Sequence, residues 1–253
     1  MAIIVCPNCG KKVTDRMEKC PHCHAVLIEQ VEQPIITKET IKASAKDSIV
    51  GVAIATVITI ALVLIWSVIA TIMAGKFMGM EAATAVSGAR SVFLSENLII
   101  LIVGAVLFCV LSVLFNKKSG TQFVIGIIIT LLFCMIGFGV QNKEIMNGNV
   151  PPQCLRDAKS LSLGFGFAFP MVLGGLSIAS YNRTLKKALI MQGILASIFI
   201  VLSVVLDLLV IVVFRMGTQG LSIANLICAI TVFGIALISN KEFQQLITPK
   251  KLA

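Results

Sequence analysis

Six stretches of this chain are almost purely apolar: 49–73, 97–115, 122–140, 161–180, 188–214 and 221–239. Only one carries an acid or base in its interior, Asp207 in the fifth. Runs of about 17–25 apolar residues match the ~30 Å hydrocarbon thickness of a bilayer. Lipid offers no partner to backbone N–H and C=O groups, so such runs are predicted to be helices, which satisfy those groups internally. The pattern therefore predicts an all-α polytopic membrane domain of about six transmembrane helices over residues 48–240. The first and fifth runs are long enough to tilt or to extend past the interface. The first lies too far into the chain, and is too long, for a removable signal, and reads as a signal anchor.

The polar segments between the runs set the organisation. Residues 29–47 are polar, with Pro34 as a breaker, and read as a tether that turns helical from Thr37. Lys38, Lys42 and Lys46 then share one helix face, as an ordinary basic flank. Residues 241–253 form a C-terminal tail. Residues 74–96 and 141–160 are the two longer loops. The first contains a short helix or an extension of the second span. In the second, Asn147-Gly148-Asn149 and Pro151-Pro152 mark a turn, and Cys154 is expected to be a free, accessible thiol. Short loops on the other side make spans two and three, and four and five, antiparallel neighbours. Three spans close on Phe115-Asn116-Lys117, Tyr181-Asn182-Arg183 and Ser239-Asn240-Lys241, where Asn suits the left-handed conformation that ends a helix.

Charge orients the domain. With the N-terminus inside, fifteen Lys and Arg fall on the cytosolic side and six outside. The expected location is the cytoplasmic membrane, with both termini cytosolic. The formal charge of +9 is thus a topology signal and an attraction to anionic lipid. It is poor evidence for a nucleic-acid partner.

Ahead of the spans lies Cys6-Pro7-Asn8-Cys9, followed by Cys20-Pro21-His22-Cys23, a C-x2-C-x10-C-x2-C pattern. Each pair forms a turn that presents two thiolates to one ion. Four sulfurs make the closed tetrahedral set of structural Zn²⁺, with no open position for catalysis. His22 and His24 read as exposed turn residues. Residues 6–11 and 20–23 resemble the two knuckles of the zinc-ribbon family, and Ala25-Val26-Leu27 resembles the apolar strand that follows them. His24 stands where that family usually has Gly. The resemblance covers residues 3–28, so 1–28 is expected to be a small zinc ribbon holding one structural Zn²⁺ on Cys6, Cys9, Cys20 and Cys23. Lys11, Lys12, Arg16 and Lys19 would offset the −2 charge of a four-thiolate zinc site and are where an acidic partner would bind.

Inside the bilayer, Asp207 is expected to pair with Arg215, eight residues on, or to sit at the interface. The Gly-rich fourth span with its central Pro170 is expected to serve close packing. No paired carboxylates, nucleophile motif or phosphate loop is present. The sequence thus points to a non-catalytic protein of the lipid bilayer whose ribbon serves partner docking, assembly or regulation, with a cytosolic protein as partner. The alternative is a small transporter or channel using Asp207 and the kinked fourth helix.

Overall fold

The computed structural model describes residues 3–5, 8–14, 21–23, 38–115, 119–240 and 244. The chain divides into two units, Met1–Ile41 and Lys42–Ala253. In the first, strands β1 (Ile3–Val5) and β2 (Lys12–Thr14) pair antiparallel, with Ile3 opposite Thr14 and Val5 opposite Lys12. Cys9 of the first C-x2-C pair thus lies in the connection of a hairpin. Gly10 closes that connection at φ 67°, a conformation that glycine adopts without strain. Residues 25–27, read above as a strand, lie outside the described residues.

Helix α1 (Lys38–Phe77) begins within the polar segment read as a tether. The rest of the second unit is helical: α2 (Met80–Val92), α3 (Leu98–Leu114), α4 (Ser119–Met146), α5 (Leu155–Ser162), α6 (Phe169–Ile178), α7 (Leu185–Leu208) and α8 (Gly217–Ile238). Three π-helical turns modify them. Phe93–Asn97 joins α2 to α3, Leu163–Ala168 joins α5 to α6, and Leu209–Val213 prolongs α7. Six rods long and apolar enough to cross a membrane result: Ala45–Phe77, Met80–Leu114, Gly120–Met146, Pro152–Ile178, Leu185–Val213 and Gly217–Ile238.

The six runs read from sequence each lie on one of these rods, but two loops shrink. Residues 80–96 form the beginning of the second span, a 35-residue rod. At about 1.5 Å per residue it is ~50 Å long and outreaches the hydrocarbon layer. Ala-rich Met80–Val92 has the composition of a good helix, so continuing the span satisfies more backbone than a loop would. The second loop shortens to residues 147–151, around the Asn-Gly-Asn and Pro-Pro signals.

The fourth rod is the centre of the bundle. Of its most apolar window 89% is buried, against 28–44% for the other five. Those five turn Val57, Ile72, Val106, Met135, Val201 and Ile230 outward. An apolar exterior around a packed interior is the surface a bilayer requires. The fourth rod packs on α4 and α8, and α7 packs on α8. Spans four and five, joined by a short connection, meet through Gln192 with Ser180 and through Phe199 with Phe169, and α8 packs against each.

Lipid supplies no hydrophobic drive between helices, so association rests on close fit. Pro170 has no N–H, which deprives the Gly166 carbonyl of its usual donor four residues on. That oxygen lies against Gly137 of α4, where any side chain would collide with it. Reciprocally, a Cβ on Gly166 would sit 2.6 Å from the Gly137 oxygen and 2.7 Å from the Phe138 Cα. The two backbones touch because neither residue has a side chain.

At the end of the bundle where α1 begins, Asn182 adopts φ 54° and closes the fourth span, as its sequence context predicts. Arg183 then donates from Nη2 to the Ser239 carbonyl at 2.7 Å and to Ser239 Oγ at 3.1 Å. Asn240 lacks the left-handed conformation and instead donates from Nδ2 to the Tyr181 carbonyl at 3.4 Å. The ends of spans four and six are thus tied together. Asn116 lies outside the described residues.

Gly166→Ala should therefore lower thermal stability in detergent by about 1–3 kcal/mol through backbone collision. Gly139→Ala, where nothing lies within 4 Å of the added Cβ, should leave the unfolding temperature unchanged. Equal responses of the two variants would contradict a close contact between spans three and four.

Candidate functional site

Two places carry chemistry. The first is the ribbon. Cys9 ends a turn that follows β1, and Cys23 ends the turn at residues 21–23; both are half-buried. His22 is exposed, as are Lys11 and Lys12. Cys6, Cys20 and His24 lie outside the described residues, as do Arg16 and Lys19. Among the described residues no three metal-ligating side chains converge, since only two of the four cysteines are among them. The donor set suits Zn²⁺: a hairpin knuckle closed by a left-handed Gly10, with half-buried sulfur in each turn. Cys6, Cys9, Cys20 and Cys23 are the residues that would hold the ion. When bound, it supplies folding free energy to a module too small for a core of its own.

The second place is the middle of the membrane unit. Trp66, the one tryptophan of the chain, is buried on α1. Its Nε1–H donates to Oδ2 of Asp207 on α7 at 2.9 Å. Phe165 and Phe169 of the fourth span meet the indole edge-on, with centroids at 5.2 and 5.9 Å. Phe93 of the second span lies 5.5 Å from Phe169, and Phe199 of α7 lies 6.0 Å from it. Spans one, two, four and five thus share one aromatic cluster with a carboxyl at its edge. Such ring pairs contribute about 0.5–1.5 kcal/mol each beyond their burial.

Asp207 is fully buried, and its Oδ1 has no hydrogen-bond partner among the described residues. It does not pair with Arg215. An unbroken α-helix would bring residues eight apart to nearly one face. The π-helical turn at Leu209–Val213 breaks that phase, and the chain has left the helix when it reaches Arg215, which is exposed at φ 53°. Cys154 also departs from expectation. It is 1% exposed, because the Pro152–Cys154 turn folds it inward to head α5.

Amide side chains absent from the sequence reading hold the spans together. Asn97 Nδ2 donates to Gln141 Oε1 at 2.7 Å, and Gln141 Nε2 donates to the Ala89 carbonyl at 2.9 Å. Asn225 Nδ2 donates to the Gly164 carbonyl at 2.9 Å, within a π-helical turn. Gln192 Nε2 lies 2.8 Å from the Gly51 carbonyl and 2.7 Å from Ser180 Oγ. Each is uncharged, so a search for acids and bases passes over it. Asn or Gln inside an apolar run is the signal that finds them, since the amide needs a partner there.

A family model for the zinc-ribbon domain matches residues 2–27. No curated protein and no solved structure matches the chain. The chain is a polytopic membrane protein with a zinc ribbon at its N-terminal end and, among the described residues, six helices long and apolar enough to cross a membrane. Nothing is recognised for the membrane region.

Trp66→Phe removes the one hydrogen bond found for Asp207 and should cost about 1–3 kcal/mol of stability, the penalty for a buried polar group left bare. Asp207→Asn keeps an acceptor for the indole and should stay near wild type. Thermal unfolding in detergent distinguishes the two. A loss in the Asn variant equal to that in the Phe variant would mean that the carboxyl matters for more than this hydrogen bond.

Proposed function

We propose that this protein acts without catalysis in the cytoplasmic membrane, as an interaction, assembly or regulatory protein. Its ribbon binds one structural Zn²⁺ through Cys6, Cys9, Cys20 and Cys23 and docks a cytosolic protein. The observation that carries this reading is the burial of the fourth span among its neighbours. The Gly-rich fourth span, the natural candidate for a broken helix lining a path, is instead enclosed by neighbours in backbone contact. The buried amides bridge helices. The exposed Lys11 and Lys12 beside the first knuckle suit an acidic partner surface. A second reading, a small transporter or channel, is favoured by the buried carboxyl oxygen of Asp207 that has no partner.

Purified protein should hold about one Zn²⁺ per chain. Replacing any of the four cysteines by Ser should release the metal and abolish co-purification of a soluble partner, while the chain still inserts in membranes. Retention of the partner without zinc would defeat the docking reading. Flux of a solute or of protons in liposomes that is lost in Asp207→Asn would establish the second reading instead.

The orientation follows from the basic asymmetry. With native cysteines replaced by Ser outside the ribbon, a cysteine at exposed Lys143 should react with an impermeant thiol reagent on intact cells. A cysteine at exposed Lys187 should react only after permeabilisation. The reverse pattern would place the ribbon outside.

A further inference from the structure

The membrane unit contains a cavity of about 730 Å³ at the end where α1 turns into α2 and α7 gives way to α8. Ligand sites are commonly of this size, roughly 300–1,000 Å³. Its wall has two characters. Phe77, Met78, Ile211, Val212 and Met216 form an apolar side. Phe77, Val212 and Met216 are also exposed on the outside of the bundle, so this side continues into the lipid-facing surface. Arg156, from α5, and Arg215, from the turn before α8, supply the other side. Both are exposed, and neither guanidinium group has a hydrogen-bond or ion-pair partner among the described residues. The acid in the wall, Asp157, accepts a hydrogen bond from Thr218 Oγ1 at 3.3 Å. It leaves both guanidinium groups unpaired.

The backbone at Arg215 is a separate observation. The π-helical end of α7 is closed by bonds from the Phe214 N–H to the Leu209 carbonyl at 3.1 Å and from the Met216 N–H to the Val210 carbonyl at 3.0 Å. Between them Arg215 takes φ 53°, a conformation that glycine adopts freely and arginine under strain. A glycine would close the same turn. Arginine at this position places a guanidinium group at the cavity wall, which glycine would not.

We propose that this cavity binds one anionic phospholipid, its phosphate held between the guanidinium groups of Arg156 and Arg215 and its acyl chains running along the apolar wall onto the lipid-facing surface. Arginine forks suit phosphate oxygens, and such charge-assisted bonds strengthen away from bulk water. A free anion would engage the arginines but gain nothing from Phe77 or Met216.

The test uses the full chain in detergent with phosphatidylglycerol, phosphatidylcholine or inorganic phosphate added, the bound lipid being counted by native mass spectrometry. Wild type should retain one phosphatidylglycerol in preference to phosphatidylcholine. Arg156→Gln and Arg215→Gly should each weaken that retention about tenfold, the scale of one charge-assisted contact. Arg215→Gly keeps the turn, so a normal unfolding temperature shows that the loss is not misfolding. Lys143→Gln removes an exposed charge outside the cavity wall and should change nothing. Three results would overturn the proposal: equal retention of both lipids, equal loss in Lys143→Gln, or displacement of the lipid by inorganic phosphate at like concentration.

Discussion

The contact of bare backbone on bare backbone at Gly137 and Gly166 is the constraint from which the bundle follows. Without water there is no hydrophobic gain in bringing two apolar helices together, so they meet only where their surfaces fit better than lipid does. Pro170 leaves a carbonyl without its intrahelical donor, and two glycines let the neighbouring spans close over it. The fourth span can then sit at the centre with the other five around it. The aromatic cluster and the amide bridges depend on that centre, because Phe165, Phe169 and the Gly164 carbonyl all belong to the same rod.

Polar groups inside the bundle link one span to another. Asn97 and Gln141 tie spans two and three, Gln192 ties five to one and four, and Asn225 ties six to four. Each such bond contributes only about 0.6 kcal/mol on average in a membrane. Their use is in register: an amide that finds its acceptor at one sliding position and loses it a turn away fixes how far each helix is pushed through the bundle. Trp66 and Asp207 do the same for spans one and five at the level of the aromatic cluster.

Much of this was legible beforehand, for reasons that differ by feature. The six apolar runs needed only length and the absence of charge. The ribbon was legible from cysteine spacing because metal geometry leaves few alternatives. Asn182 was legible because few residues other than Gly accept its conformation. What failed did so through helix phase and folding back of the chain. Asp207 and Arg215 stand two α-turns apart in the sequence, yet a wide turn shifts their phase. Cys154 sits in a polar stretch but turns inward. Residues 80–96 extend the second span, one of the two readings their sequence allowed despite Arg90 and Glu96. Trp66 was in plain view, and only the requirement that a buried indole N–H find an acceptor connects it to Asp207.

The wide turns also set how this chain tolerates change in length. A π-helical turn holds one residue more than the α-turn it replaces. Removing a single residue from Leu209–Val213 converts the wide turn to an α-turn and leaves what lies beyond it nearly in place, whereas the same deletion in a regular stretch turns everything beyond by about 100° and draws it back ~1.5 Å. Point substitutions in these turns alter one side chain. A one-residue deletion in a regular stretch of a span re-aims everything beyond it. Among variants of this chain, the three π-helical turns are therefore where the deletion of one codon is absorbed, a tolerance that counting apolar residues does not reveal.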